Sequence, residues 1–136
     1  MEALFQSENM ESAVASTSRL AEDIILITYL RENITLDVEE VAVGWDQATV
    51  LDPEKNSFVV VQTAPWSLMD KDARAYISSQ MPQWPAVAVV VHNAGQKILG
   101  QVTIRVAGLA KQVKFFDDQE SALSWLDSQR IMADEV

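Results

Sequence analysis

The chain has 136 residues, the size of one domain, and 49% of it is hydrophobic, enough for a single well-formed core. Ten Lys and Arg stand against 20 Asp and Glu, a net charge of −10 that opposes general nucleic-acid binding, because phosphates are repelled at long range. There is no cysteine, which excludes a disulfide framework and thiol chemistry.

No apolar run approaches the roughly 20 residues of a membrane-spanning helix. The start, Met1-Glu2-Ala3-Leu4-Phe5, lacks a positive region followed by an apolar stretch. The expectation is a cytoplasmic protein. Residues 1–11 are polar and without period, and read as a disordered tail. Residues 12–130 read as one domain, and 131–136 as a frayed end.

In chain order, residues 12–19 form a weak first strand. Residues 23–29 form a second, built on Ile24-Ile25-Leu26-Ile27, and the two pair as a hairpin. The first helix starts near Thr35, with Asp37, Glu39 and Glu40 in its first turns and Leu36, Val38, Val41, Trp45 and Ala48 on its inner face. Asp52-Pro53 ends it. Phe58-Val59-Val60-Val61-Gln62 is the third strand. A second helix covers about residues 70–81, with Met69, Ala73, Tyr76 and Ile77 inward and Pro82 as its stop. Ala86-Val87-Ala88-Val89-Val90-Val91 is apolar at every position, the pattern of a strand with both faces dry in a parallel sheet. A third helix covers about residues 96–109, with Ile98, Leu99, Val102, Val106 and Leu109 inward and Gly108 as terminator. Gln112-Val113-Lys114-Phe115-Phe116 is the fifth strand, and Asp117 or Asp118 caps a fourth helix reaching about Arg130. The order ββαβαβαβα is α/β, with right-handed parallel crossovers.

Three stretches are similar to a known family. They are Met69-Asp70-Lys71-Asp72-Ala73-Arg74-Ala75-Tyr76, the run Ala86 to Val91, and Lys114-Phe115-Phe116-Asp117-Asp118-Gln119-Glu120-Ser121-Ala122-Leu123-Ser124-Trp125-Leu126. In this order they resemble the STAS-like superfamily of anti-sigma-factor antagonists and sulphate-transporter cytoplasmic domains, in particular small bacterial members without assigned function. The resemblance implies a five-stranded mixed sheet, with the N-terminal hairpin strand antiparallel and the others parallel, and four helices. Regulatory members are phosphorylated on a Ser or Thr at the start of the helix after the third strand, within an Asp-Ser-Ser/Thr-Gly motif. Here Ser67 lies nearby without the preceding Asp or the following Gly, so the switch is not carried over.

Two sets of residues carry the functional expectations. Pro65, Trp66, Ser67, Asp70, Arg74 and Trp84 form a candidate interaction surface, because loop tryptophans beside prolines can serve as interface anchors. His92, Asn93, Gly95, Lys97 and Arg105 form a candidate anion or ligand site, because ligands favour the strand-end crevice of parallel sheets and a helix start exposes N–H groups. Residues 73–116 contain no Asp or Glu and carry Arg74, Lys97, Arg105, Lys111 and Lys114, so this block is +5 and the remainder −15. Against these readings, Asp70, Asp117 and Asp118 stand where helix caps belong, and Asn93 where a turn needs an adaptable residue. No Ser-His-Asp order and no zinc spacing is present, so the expectation is a non-enzyme without metal or cofactor. The leading expectation is an interaction module that binds a protein partner or forms a homodimer through residues 65–74 and the face of the third helix that bears Lys97 and Arg105. The alternative is a binder of an anionic or lipid-like small molecule at the strand ends. Self-association is expected if all crossover helices lie on one face and leave the valines of the fourth strand uncovered on the other.

Overall fold

The computed structural model describes residues 9–134. Eight strands and four α-helices follow in the order β1 (Asn9–Glu11), β2 (Ala15–Ala21), β3 (Ile24–Tyr29), β4 (Thr35–Leu36), α1 (Val38–Leu51), β5 (Phe58–Gln62), β6 (Leu68–Met69), α2 (Lys71–Gln80), β7 (Val87–Val90), α3 (Ala94–Val106), β8 (Val113–Phe116) and α4 (Gln119–Asp134). A short 3-10 turn, Met81–Gln83, follows α2.

The main sheet has the order β1-β2-β3-β5-β7-β8. The first two pairings are antiparallel and the last three parallel, as the α/β, STAS-like expectation requires. It has six strands rather than five. The extra strand, Asn9–Glu11, comes from the segment expected to be a tail; residues 1–8 of that tail lie outside the described residues. At the other end the last helix continues to Asp134 where fraying was expected from residue 131, and 135–136 lie outside the described residues.

The chain steps from β3 to β5 to β7 to β8 in one direction. Right-handed crossovers in one direction keep their helices on one face. So α1, α2 and α3 share a core with the odd-numbered side chains of the strands, among them Ile25, Ile27, Val59, Val61, Val87 and Val89. Among the described helices only α4, which follows the last strand and is not a crossover, is free to cover the second face. It does so with Ala122 and Leu126 against Val60, Ala88 and Val90. All four residues of β7 are buried, so its expected place between two dry layers is met within one chain. Where α4 does not reach, the second face of β2 presents Ser16 and Ser18.

Local chemistry sets the helix starts. Asp37, not Thr35, caps α1: Glu40 N–H donates to Asp37 Oδ1 at 2.9 Å, and Asp37 N–H donates to Glu40 Oε1 at 3.2 Å, a full capping box. Thr35 is spared for β4, which pairs with β6 in a second, two-stranded parallel sheet. α1 lies close on the main sheet because Gly44 has no side chain, and a Cβ there would stand 2.5 Å from Ile27 Cγ2 and 2.7 Å from the Tyr29 hydroxyl. That hydroxyl donates to Val41 O at 2.6 Å, and burial pushes the phenol well above its usual range, with Tyr76 and Asp46 adding to the shift. Gln47 joins α1 to β2, accepting from the buried Thr17 hydroxyl at 2.7 Å and donating to Ala15 O at 3.3 Å.

The second layer is tied by Arg130 of α4, whose Nε and Nη2 both donate to the Asp23 carboxylate at 2.7 Å. This hydrogen bond holds Asp23 below the usual carboxylate range, against the opposing pull of burial. Burial would also raise Asp52, but the hydroxyl and N–H of Ser57 and the N–H of Asn56 outweigh it and lower its value.

Two outcomes follow. Gly44→Ala should lower stability by about 1–3 kcal/mol despite the gain in helix propensity, because the methyl overpacks the Ile27–Tyr29 contact; an unchanged denaturant midpoint would show that the helix shifts freely. Asp23 has a lower value folded than unfolded, so its contribution is present above the ordinary carboxylate value of about 3.9 and is lost as pH falls through the folded value. Stability against urea should decline below about pH 4, and less steeply in Arg130→Met; parallel declines would mean that the pair contributes nothing.

Candidate functional site

The C-terminal ends of β5, β7 and β8 lie side by side, so the sequence brings Thr63, His92 and Asp117 to one edge of the sheet. Each polar group at that edge already has a local partner. His92 Nε2 lies 2.6 Å from Thr63 O, which makes that nitrogen a donor to the neighbouring strand end. Asn93 Oδ1 accepts from Gln96 N–H at 2.8 Å and caps α3. Asp70 Oδ1 accepts from Ala73 N–H at 2.8 Å and caps α2. Asp118 Oδ1 accepts from Ser121 N–H at 2.7 Å, a bond that holds its carboxyl below the usual range. Lys97 Nζ lies 3.4 Å from Asp117.

The expected ligand set therefore does not gather into one site. Gly95 lies in the first turn of α3, where Asn93 already occupies one of the free N–H groups. Arg105 is at the far end of the helix, roughly 18 Å of axial rise from Asn93. Among the described residues no three His, Asp or Glu side chains are placed to hold a metal ion.

The interaction set divides differently. Trp84 is 1% exposed and packs on Trp45 with ring centroids 6.4 Å apart, so it belongs to the core and not to a surface. The sequence signal, a tryptophan beside Pro85, described a loop that folds inward at the start of β7. Ser67 is 5% exposed, and its carbonyl accepts from the Gln96 side chain, so its hydroxyl does not sit on an open loop. Arg74 is half-buried on α2, with Nη1 donating to Met69 O at 2.7 Å.

Trp66 is the reverse of Trp84. It is 70% exposed. It occupies the third position of a tight turn closed by Ser67 N–H on Ala64 O at 3.2 Å, with Pro65 before it. Its φ is +59°, a conformation that turns usually assign to Gly or Asn and that costs a bulky side chain of order 1–3 kcal/mol. The chain thus holds an indole out into solvent at an energetic cost.

α3 extends this surface and overturns an expectation. Its large apolar side chains face outward: Ile98, Leu99 and Val102 are exposed, and Val106 is 83% exposed. At about 100° per residue these four fall in one stripe, with Gly100 and Ile104 on the opposite side. That opposite side faces the sheet. A Cβ on Gly100 would stand 2.3 Å from the Phe115 ring, so the helix rests its glycine on the aromatic ring and buries Ile104 beside it. Leu109, beyond the helix, is buried as expected, and Gly108, at φ +76°, ends the helix as expected. Leu68 is also exposed, and it borders the same cleft as Leu99, so the Trp66 turn and the α3 stripe flank one another. Leu68 lies within the expected contact stretch of residues 65–74, but the aliphatic stripe of α3 was expected to face inward; the available signal was Gly100 followed by Ile104 at helical spacing.

The order and pairing of the elements give the chain a SpoIIAA-like, that is STAS-like, fold. The fold matches the crystal structure of an uncharacterised DUF3478-family protein with a SpoIIAA-like fold from Shewanella loihica PV-4, with a TM-score of 0.57 and 17% identity, covering 86% of this chain and 98% of that one. The chain belongs to the family described as a domain of unknown function, DUF7793, which matches residues 19–130. No curated protein matches it. No helix among the described residues is long and apolar enough to cross a membrane.

Because the positive φ strains Trp66 and the ring packs little, Trp66→Gly should leave stability unchanged or raise it by up to about 1 kcal/mol. A lower melting temperature would show that the indole serves the fold.

Proposed function

We infer that this domain is a non-catalytic interaction module that docks a protein partner on the outward face of α3 and the adjoining Trp66 turn. The observation that carries the reading is the exposed stripe of Ile98, Leu99, Val102 and Val106 beside an indole held in a strained turn. Single exposed apolar residues are ordinary, but a helix that turns its aliphatic stripe to water is the pattern of an interface. Rigid aromatic residues are favoured anchors at such places.

Charge narrows the partner. The stripe lies within residues 73–116, which hold no carboxylate, and Arg105 borders it. A symmetric pairing of two α3 faces would join two surfaces drawn from this carboxylate-free stretch and offer Arg105 no acidic partner on α3. The second sheet face, whose exposure would have called for a second copy, is covered by α4. The fitting occupant is a different protein whose apolar face is edged by Asp and Glu.

The test uses the full chain as bait in extract of its native cells. The expectation is a protein retained by the wild-type chain and weakened at least about tenfold by Val102→Asp, by Trp66→Gly and by Arg105→Glu, with melting temperatures unchanged. Light scattering should give the mass of one chain at micromolar concentration. Retention indifferent to all three substitutions, or a dimer that Val102→Asp dissociates, would overturn the reading.

A further inference from the structure

Beneath the docking face, and lined in part by its Leu68 and Leu99, lies a cavity of about 100 Å³ between α2, α3 and the sheet. Ile77 and Met81 of α2, Val89 of β7, Ile104 of α3 and Phe115 of β8 line it. Gly100 and the Phe115 ring it rests on both line it, and Ser78 and Thr103, which also line it, contribute only short side chains. Its wall is almost entirely apolar. The charged exception is Arg74, and Met69 O holds one end of that guanidinium at 2.7 Å. Among the described residues no carboxylate lies within ion-pair distance of Arg74. A half-buried guanidinium fixed beside an apolar cavity, with donors left over, matches a planar anion in a two-bonded geometry.

We propose that this cavity binds a small monocarboxylate, with an apolar body of about five carbons among Ile77, Val89, Ile104 and Phe115 and its carboxylate on Arg74. The volume limits the size: about 100 Å³ is less than the roughly 150 Å³ apolar cavity that accepts benzene, which favours a slim unbranched chain over a ring. The charge supports the head group, since no described carboxylate pairs with Arg74: Asp70, one turn earlier, is taken up by the Ala73 N–H as the helix cap. The site differs from the strand-end set of His92, Asn93 and Lys97, whose polar groups are taken up by backbone groups and by Asp117. It shares Leu68 and Leu99 with the docking face, but its test requires no second protein, so the two readings can fail separately.

The experiment titrates hexanoate into the isotope-labelled full chain and follows backbone amide and methyl resonances, with hexanol as the neutral counterpart. The expected result is saturable binding at about 1 mM or tighter, within reach of a ligand of about eight non-hydrogen atoms, with shifts concentrated at Ile77, Val89 and Ile104. Hexanol should bind at least about tenfold more weakly, and Arg74→Gln should weaken hexanoate by a similar factor and leave hexanol unchanged. Ser78→Leu, which fills the cavity from α2, should abolish both. No saturable shift with hexanoate in the wild-type chain, or equal binding of acid and alcohol, would overturn the proposal, and neither result depends on how the variants fold.

Discussion

The burial of β7 on both faces is the constraint from which the rest of the architecture follows. A strand of Val and Ala at every position is stable only where water reaches neither side. Three right-handed crossovers taken in one direction place α1, α2 and α3 together and leave the opposite face bare. One further helix must then close it, and α4 does so through Ala122 and Leu126. The small side chains Ala86 and Ala88 let α4 come close, and the two-bonded Arg130–Asp23 pair fastens the helix to the start of β3. Both cores are completed within a single chain.

The same constraint shapes the surface. α3 crosses between β7 and the edge strand β8, where the aromatic ring of Phe115 stands between helix and sheet. The helix can lie down there only on a residue without a side chain. Gly100 fixes which side faces in, and the aliphatic stripe is then turned to solvent as a geometric consequence. The gap left between α2 and α3 is the apolar cavity. The outward stripe and the inner cavity thus have one cause, the seating of one helix by one glycine.

Much of the fold was legible because its signals are local. The alternating strands and helices, the all-apolar β7, and the caps at Asp70, Asn93 and Asp118 rest on period, turn chemistry and N–H satisfaction, which neighbours along the chain settle. Less of the candidate site could be read. Trp66 and Trp84 have nearly the same wording, a tryptophan beside a proline, yet one is held out by a positive φ and the other packs on Trp45. His92 and Lys97 suggested a shared anion site, but Thr63 O and Asp117, distant along the chain, take up their polar groups.

By itself the sequence determined the class of fold, the order of its elements and the dryness of the central strand, because periodicity and hydrophobic burial act on runs of residues. Tertiary structure alone decided which face of α3 is buried, which tryptophan meets solvent, and that Arg74 stands beside an apolar cavity. Those outcomes depend on how closely one element can approach another. That distance is set by pairs such as Gly100 with Phe115 and Gly44 with Tyr29, whose members are far apart along the chain.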